Sequence, residues 1–341
     1  MRTERRYARG MSDLLTMTTY GLFCPAGGFY IDPTKKVDRA VITHGHADHA
    51  RAGHDSYLCT EQSVPILLSR LGTKIAVTGQ PYGEVRVING VSVSFHPAGH
   101  VLGSAQIRVE HKGEIWVVSG DYKTENDGVS GEFESVKCHT FITESTFGLP
   151  IYRWPEPTVV INQINDWWRR NQAIGRASVM CAYSLGKAQR ILHAVDTSIG
   201  PIYVHKAVAK INAAYEAAGV RFPEVNSEKK APAPELAKRA LIITPSAHDE
   251  GVWLQGFGAA SRAFASGWMR VRGGQRGGKS QSGFVVSDHV DWPGMLSAIR
   301  QSEAERILVT HGYEAQTVRY LREQGWEADG LDEHFEHVTS T

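Results

Sequence analysis

The chain has 341 residues, with 37 Lys+Arg against 36 Asp+Glu and a formal net charge of +1 with histidine neutral, so charge alone marks no nucleic-acid binder. At 42% hydrophobic and 21% charged residues it lies far from the low-hydrophobicity, high-charge regime of disordered chains. Its length exceeds the roughly 250 to 300 residues over which one core keeps growing, which points to two domains or one domain with a large insertion.

In chain order, the basic start MRTERRYARG reads as a tail ahead of Met11 or as an arm that touches phosphates. Leu14–Asp32 reads as two short strands around a Cys-Pro-Ala-Gly-Gly turn, and AVITH at 40–44 as a buried strand. Apolar runs at 85–98, 105–121 and 140–145, separated by glycine-containing turns, complete a strand-rich first half. After Pro150 the pattern changes. PEPTVVINQINDWWRRNQ is amphipathic and helical, ASVMCAYS is strand-like, and LGKAQRILHAV and KAVAKINAAYEAAG are helix-like. SEKKAPAPELAKRA is a charged surface stretch, after which ALIITPS returns to strand character. GFVVSDH, PGMLSAIRQSE, RILVTHGY and EAQTVRYLREQG then give strand, helix, strand, helix, in the pattern of the first half. The expected class is α/β, with one domain at 12–149 and 282–335 interrupted by an α/β insertion at 150–281.

Cys24, Cys59, Cys138 and Cys181 form no Cys-x-x-Cys pair, which argues against a zinc knuckle or a disulfide scaffold and fits a reducing cytoplasm. No apolar run approaches the roughly 18 to 20 residues that cross a bilayer, so neither secretion nor membrane insertion is expected. The residue in excess is histidine, at 15. His44-Gly45-His46-Ala47-Asp48-His49, an H-x-H-x-D-H cluster, directly follows a strand. Imidazole and carboxylate suit zinc, manganese or iron, and a loop at a strand end can offer alternate side chains to two ions. Two ions need more ligands, and His100, Asp121 and His311 each follow an apolar run. A shared carboxylate such as Asp121 can bridge ions about 3.5 to 4 Å apart. Asp32 is expected to support a ligand by accepting its hydrogen bond.

These residues resemble the metallo-β-lactamase superfamily, whose αββα sandwich displays H-x-H-x-D-H and later His, Asp and His ligands along one edge. The resemblance implies a first ion held by His44, His46, His100 and Asp121, and a second held by Asp48, His49, Asp121 and His311. Two divalent ions are expected, zinc in the first place and manganese as the alternative. Aspartate at the bridge favours phosphoesters and thioesters over β-lactams.

Glu144 in ITESTFG, Ser287-Asp288-His289 in GFVVSDHVDW and His311 are similar to motifs A, B and C of the β-CASP nucleases, which carry a long insertion in this fold. Asp48, Glu144 and His289 are therefore the catalytic candidates. His289 suits proton donation to a leaving oxygen, with Glu144 fixing its tautomer. In the insertion, Tyr183-Ser184-Leu185-Gly186-Lys187 offers a hydroxyl and a lysine at a helix start, a site for an anion unless Ser184 is merely the helix cap. With Ser266 of Ser266-Gly267-Trp268, Ser184 and Lys187 suggest a 5′-phosphate pocket. Gly273–Ser280 satisfies G-x-x-x-x-G-K-[ST], but strand rather than helix character follows it, so Arg270, Arg272, Arg276 and Lys279 are read as a basic loop near the substrate. Trp154, Trp167, Trp168 and Trp268 are either base-stacking or core residues.

SGWM, SDHVDWPGML and VTHGYEAQTVRYLREQG are similar to bacterial ligase-associated DNA exonucleases. The resemblance implies a 5′ to 3′ exonuclease on single-stranded DNA, acting in repair beside an ATP-dependent ligase and a helicase. The alternative is a β-CASP ribonuclease, since histidine at motif C is common among RNA members. A silent scaffold conflicts with the filled ligand positions, and a small-molecule hydrolase leaves the insertion unexplained.

Overall fold

The computed structural model describes residues 13–227, 232–246, 252–272 and 281–339. The basic start and the Gly273–Ser280 segment, with Arg276 and Lys279, lie outside the described residues. Three sheets organise the rest. The first has six strands in chain order: Thr16–Thr18, Gly21–Cys24, Phe29–Ile31, Arg39–Val41, Ser56–Thr60 and Val77–Gln80. Leu14–Asp32 thus supplies three strands where two are expected, because Gly21 (φ +117) allows a turn between Thr18 and Leu22.

The second sheet has seven strands in the order Glu327–Gly330, Arg306–Gly312, Thr140–Ser145, Glu114–Val118, Ala105–His111, Val91–Pro97 and Arg86–Ile88. Its two-residue turns, Asn89-Gly90 and Lys112-Gly113, have positive φ throughout, as tight hairpins between right-twisted strands demand. Alternation along Glu114–Val118 separates the faces: Trp116 and Val118 turn toward the first sheet, while Ile115 and Val117 pack with Met295, Ile299 and Leu321 of helices Trp292–Gln301 and Glu314–Glu323. Phe29, Ile31, Val41 and Leu58 meet Phe95, Ile107, Trp116 and Leu308 in the central layer, and Leu67 of helix Val64–Leu71 closes the outer face of the first sheet. The layers run helix, sheet, sheet, helix.

Strands Thr140–Ser145 and Arg306–Gly312 are parallel neighbours, yet about half the chain lies between the first and last strands of this sheet's inner pair. That excursion contains the third sheet, wholly parallel, in the order Asn226–Ser227, Ile202–Val204, Leu241–Thr244, Ala177–Cys181, Ala260–Ala265 and Gln281–Phe284. Its strands Ala177–Cys181, Ile202–Val204 and Leu241–Thr244 are buried throughout, with Trp167 and Trp168 of helix Pro157–Ala173 in the core. Strand Gln281–Phe284 extends past the expected boundary at 281, and residues 285–289, expected as strand, lie outside the sheet.

Arg190 on helix Lys187–Ala194 ties the insertion to the sandwich. Its guanidinium donates to Asp127 at 2.6 and 2.7 Å, to the Ser287 carbonyl, and to the His100 carbonyl at 3.4 Å. Burial raises the pKa of Asp127, but Arg190 and the amides of Val129 and Ser130 outweigh it and hold the carboxyl below its ordinary value. A depressed carboxyl contributes stability above its unfolded pKa of about 3.9, and the contribution disappears as pH falls through the folded value. Asp127→Asn should therefore cost about 3 kcal/mol at pH 7, the scale for breaking a buried pair, with the gap to the parent closing below about pH 4. Thermal melts of both proteins from pH 3 to 7 check this; a gap that does not change with pH refutes it.

Candidate metal centre

The ligand-type residues sit where strands of the sandwich end. Arg39–Val41 stops three residues before His44, earlier than AVITH suggests, because Thr43 leaves the ladder: its N–H donates to Asp32 Oδ1 at 2.8 Å and its hydroxyl to Oδ2. His44–His49 consequently lies on a loop at the sheet edge. His100 follows Val91–Pro97 and Asp121 follows Glu114–Val118. Gly120 has φ +56, and a Cβ there would lie 2.7 Å from Thr43 Cβ, so only glycine lets the Asp121 turn close onto the histidine loop. Glu144 lies near the end of the fully buried strand Thr140–Ser145.

His44, His46, His100 and Asp121 converge, each offering an atom within 4.8 Å of the others. His46 Nδ1 is 3.1 Å from His44 Nε2 and 2.9 Å from His100 Nε2, and Asp121 Oδ2 is 3.5 and 3.7 Å from those two nitrogens. Tetrahedral ligands about 2.0 to 2.1 Å from zinc lie about 3.3 Å from one another. The spacings bracket that value, so the four residues fit one ion.

Each imidazole spends its other nitrogen outward. His44 Nδ1 meets Thr43 Oγ1 at 3.1 Å, His46 Nε2 meets the Leu185 carbonyl at 3.2 Å, and His100 Nδ1 meets the Asp288 carbonyl at 2.7 Å. His49 Nδ1 is 2.7 Å from Asp32 Oδ2, and His289 Nδ1 is 2.8 Å from Glu144 Oε2. Outward donors of this kind fix the tautomer and, in a neutral ring, leave a lone pair directed inward. Burial, with neighbouring imidazoles adding to it, holds His44 and His100 well below the ordinary histidine pKa, and burial also lowers His46. Burial thus favours in all three the neutral form that ligation requires. Asp121, although buried, stays ionised because His49 and His289 lie beside it.

The second expected set is looser. His49 Nε2 is 3.5 Å from Asp121 Oδ2 and 3.7 Å from Asp48 Oδ2, but the Asp48 side chain is 68% exposed and the His311 ring centroid is 5.6 Å from that of His49. Burial opposes the charged form of His49, yet Asp121 and Asp32 push its pKa up to about 10, so without a cation it is itself the counterion of those carboxylates. His311 owes its direction to a bulge. Glu144 pairs with Thr310 and Ser145 with Gly312, leaving His311 unpaired at φ +59. Asp32→Ala should weaken metal binding by about 10- to 100-fold, the usual cost of losing an outer partner, measured by competition with a chromophoric chelator. Unchanged affinity would remove Asp32 from the site.

His289 and Glu144 come together as expected: Glu144 accepts from the Tyr122 N–H at 2.8 Å and holds His289 through Nδ1. Burial works against charge on His289, but Glu144 and Asp121 push it up to about 9. The phosphate candidates differ from expectation. Helix Lys187–Ala194 is capped by Gly186, whose N–H donates to Gln189 Oε1 at 2.8 Å, rather than by Ser184. The Lys187 ammonium is buried and paired with Asp288, so it is not a free cation, while Ser184 and Ser266 are half-buried. Sequence reasoning missed the Leu185 and Asp288 carbonyls, Arg190 and Asp127. Backbone acceptors leave no residue-type signal, and a lone arginine in a helix leaves little.

A region of the "Probable DNA ligase" of Opitutus terrae is 28% identical over 92% of the chain, which spans 31% of that protein. "Endoribonuclease YSH1" of Gibberella zeae is 30% identical over 53% of the chain and 22% of its own length. A solved structure, a protein of unknown function from Enterococcus faecalis V583, superposes with a TM-score of 0.60 at 12% identity, covering 85% of this chain and 78% of that one. The fold is the metallo-β-lactamase/β-CASP fold. No protein-family model matches the chain. Among the described residues no helix is long and apolar enough to cross a membrane.

Proposed function

We propose that the chain is a metal-dependent phosphodiesterase that hydrolyses the backbone of single-stranded nucleic acid. The observation that carries this reading is the set of five histidines around Asp121, each tied outward through one nitrogen and open through the other. Divalent ions bound there would supply Lewis-acid stabilisation of the phosphoryl oxygens and a nucleophile at neutral pH. His44, His46, His100 and Asp121 would hold the first ion, and Asp48, His49, Asp121 and His311 the second, with zinc the proposed metal and manganese the alternative. His289, oriented by Glu144, is placed to give a proton to the departing oxygen, a role in which its raised pKa favours the acid form.

Within that class we read the activity as a 5′ to 3′ exonuclease on 5′-phosphorylated single-stranded DNA, with the Ser184 and Ser266 hydroxyls receiving the terminal phosphate and Lys187 committed to Asp288. The region shared with a probable DNA ligase supports this reading, together with action in repair beside an ATP-dependent ligase and a helicase. Cleavage of RNA is the second reading, favoured by the endoribonuclease relative. The test uses matched DNA and RNA oligonucleotides, 5′-phosphorylated or 5′-hydroxyl and labelled at either end, with Zn²⁺, Mn²⁺ or a chelator. Mononucleotides released from the phosphorylated DNA end are the expected product. Preferential RNA cleavage would establish the second reading, and metal-independent cleavage would overturn both.

A further inference from the structure

Trp268 is the only exposed tryptophan among the described residues, at 37%, while Trp116, Trp167, Trp168 and Trp292 are buried. Its ring is backed by other rings rather than by aliphatic core. The Phe147 centroid is 5.0 Å away, Tyr152 5.9 Å and Tyr313 6.5 Å. Phe147 lies 6.0 Å from the His289 ring, and Tyr313 follows His311 by two residues, so this aromatic wall joins both sides of the metal centre. Trp268 comes from the insertion, whereas Phe147 and Tyr313 follow the paired sandwich strands Thr140–Ser145 and Arg306–Gly312.

The approach is built into the chain. A Cβ on Gly267 would lie 2.6 Å from Phe147 Cζ, so glycine is what lets the segment settle onto Phe147 and present the next residue. The Trp268 N–H donates to Ser266 Oγ at 3.3 Å, which holds the turn. Phe147 and Tyr152 are themselves buried and cannot reach a ligand, so they serve as a support for the exposed indole.

We infer that Trp268 is a stacking platform for the nucleobase next to the scissile phosphodiester, an inference that rests on the nucleic-acid reading above. Every base offers a π face, so a platform of this kind grips a strand without reading its sequence, and an edge-supported indole loses little freedom on binding. It would hold one nucleotide in register with the metal centre while the metal centre acts on the adjoining phosphate.

The test compares oligonucleotides carrying every base with oligonucleotides bearing one abasic residue next to the scissile position, in the wild-type protein, Trp268→Ala and Trp268→Phe. The wild type should favour the base-bearing strand in KM by about tenfold, the scale of one base stacked on one aromatic ring. Trp268→Ala should lose that preference and Trp268→Phe should keep most of it. If the wild type cleaves while Trp268→Ala retains the preference, or if Trp268→Ala and Trp268→Phe lose activity equally on both strands, the platform is refuted and the nuclease reading survives. If the wild type cleaves neither DNA nor RNA, the nuclease reading fails and takes the platform with it.

Discussion

Asp121→Ala should abolish metal binding and hydrolysis together. Its carboxylate lies within 3.7 Å of nitrogens from His44, His49 and His100, so it is the one group common to both ligand sets. Loss of an outer partner alone costs about 10- to 100-fold in metal affinity or activity, and loss of a shared inner ligand should exceed about 10³-fold. Elemental analysis and a phosphodiesterase assay on the same preparation check the coupling. Thermal melting separates this from misfolding, since the variant should still unfold cooperatively. A variant that keeps its metal and its rate would dismantle the site assignment.

His289→Ala should behave in the opposite way, losing rate but not metal. Its Nδ1 is committed to Glu144, and it lies outside the tight group formed by His44, His46, His100 and Asp121. General acid catalysis contributes about 10²- to 10⁴-fold, which sets the expected fall in kcat with metal content unchanged. Glu144→Gln should cost less, because the imidazole remains while its orientation and basicity weaken. The decisive measurement is single-turnover cleavage at saturating metal, and a fully active His289→Ala protein would leave the proton to another donor.

Much of this site was legible in the primary structure because its residues are chemically unusual in their spacing. Four ligand-type side chains in His44–His49, and single ones after later apolar runs, announce themselves whatever the tertiary details, and the structure places His44, His46, His100 and Asp121 in one group. Strand Thr140–Ser145 and helix Lys206–Ala217 were readable from periodicity alone. What the residues could not reveal was pairing. Lys187 looks like an anion ligand until Asp288, a hundred residues on, is found against it. The direction of His311 depends on a bulge opposite Glu144 and Ser145, which is a property of two strands in register and of neither alone. Strands Ser56–Thr60 and Val77–Gln80 carry too few alternating residues to stand out, since the first is buried almost throughout and the second packs at an edge.

The hydrogen bonds from His46 to Leu185 and from His100 to Asp288 span 139 and 188 positions of the sequence. During synthesis the histidine loop therefore leaves the ribosome long before the groups that steady two of its rings exist. A truncated product ending before Asp288 would carry most of the ligands yet lack the anchor for His100. Folding order thus acts as a safety catch, delaying completion of the centre until Asp288 has been made.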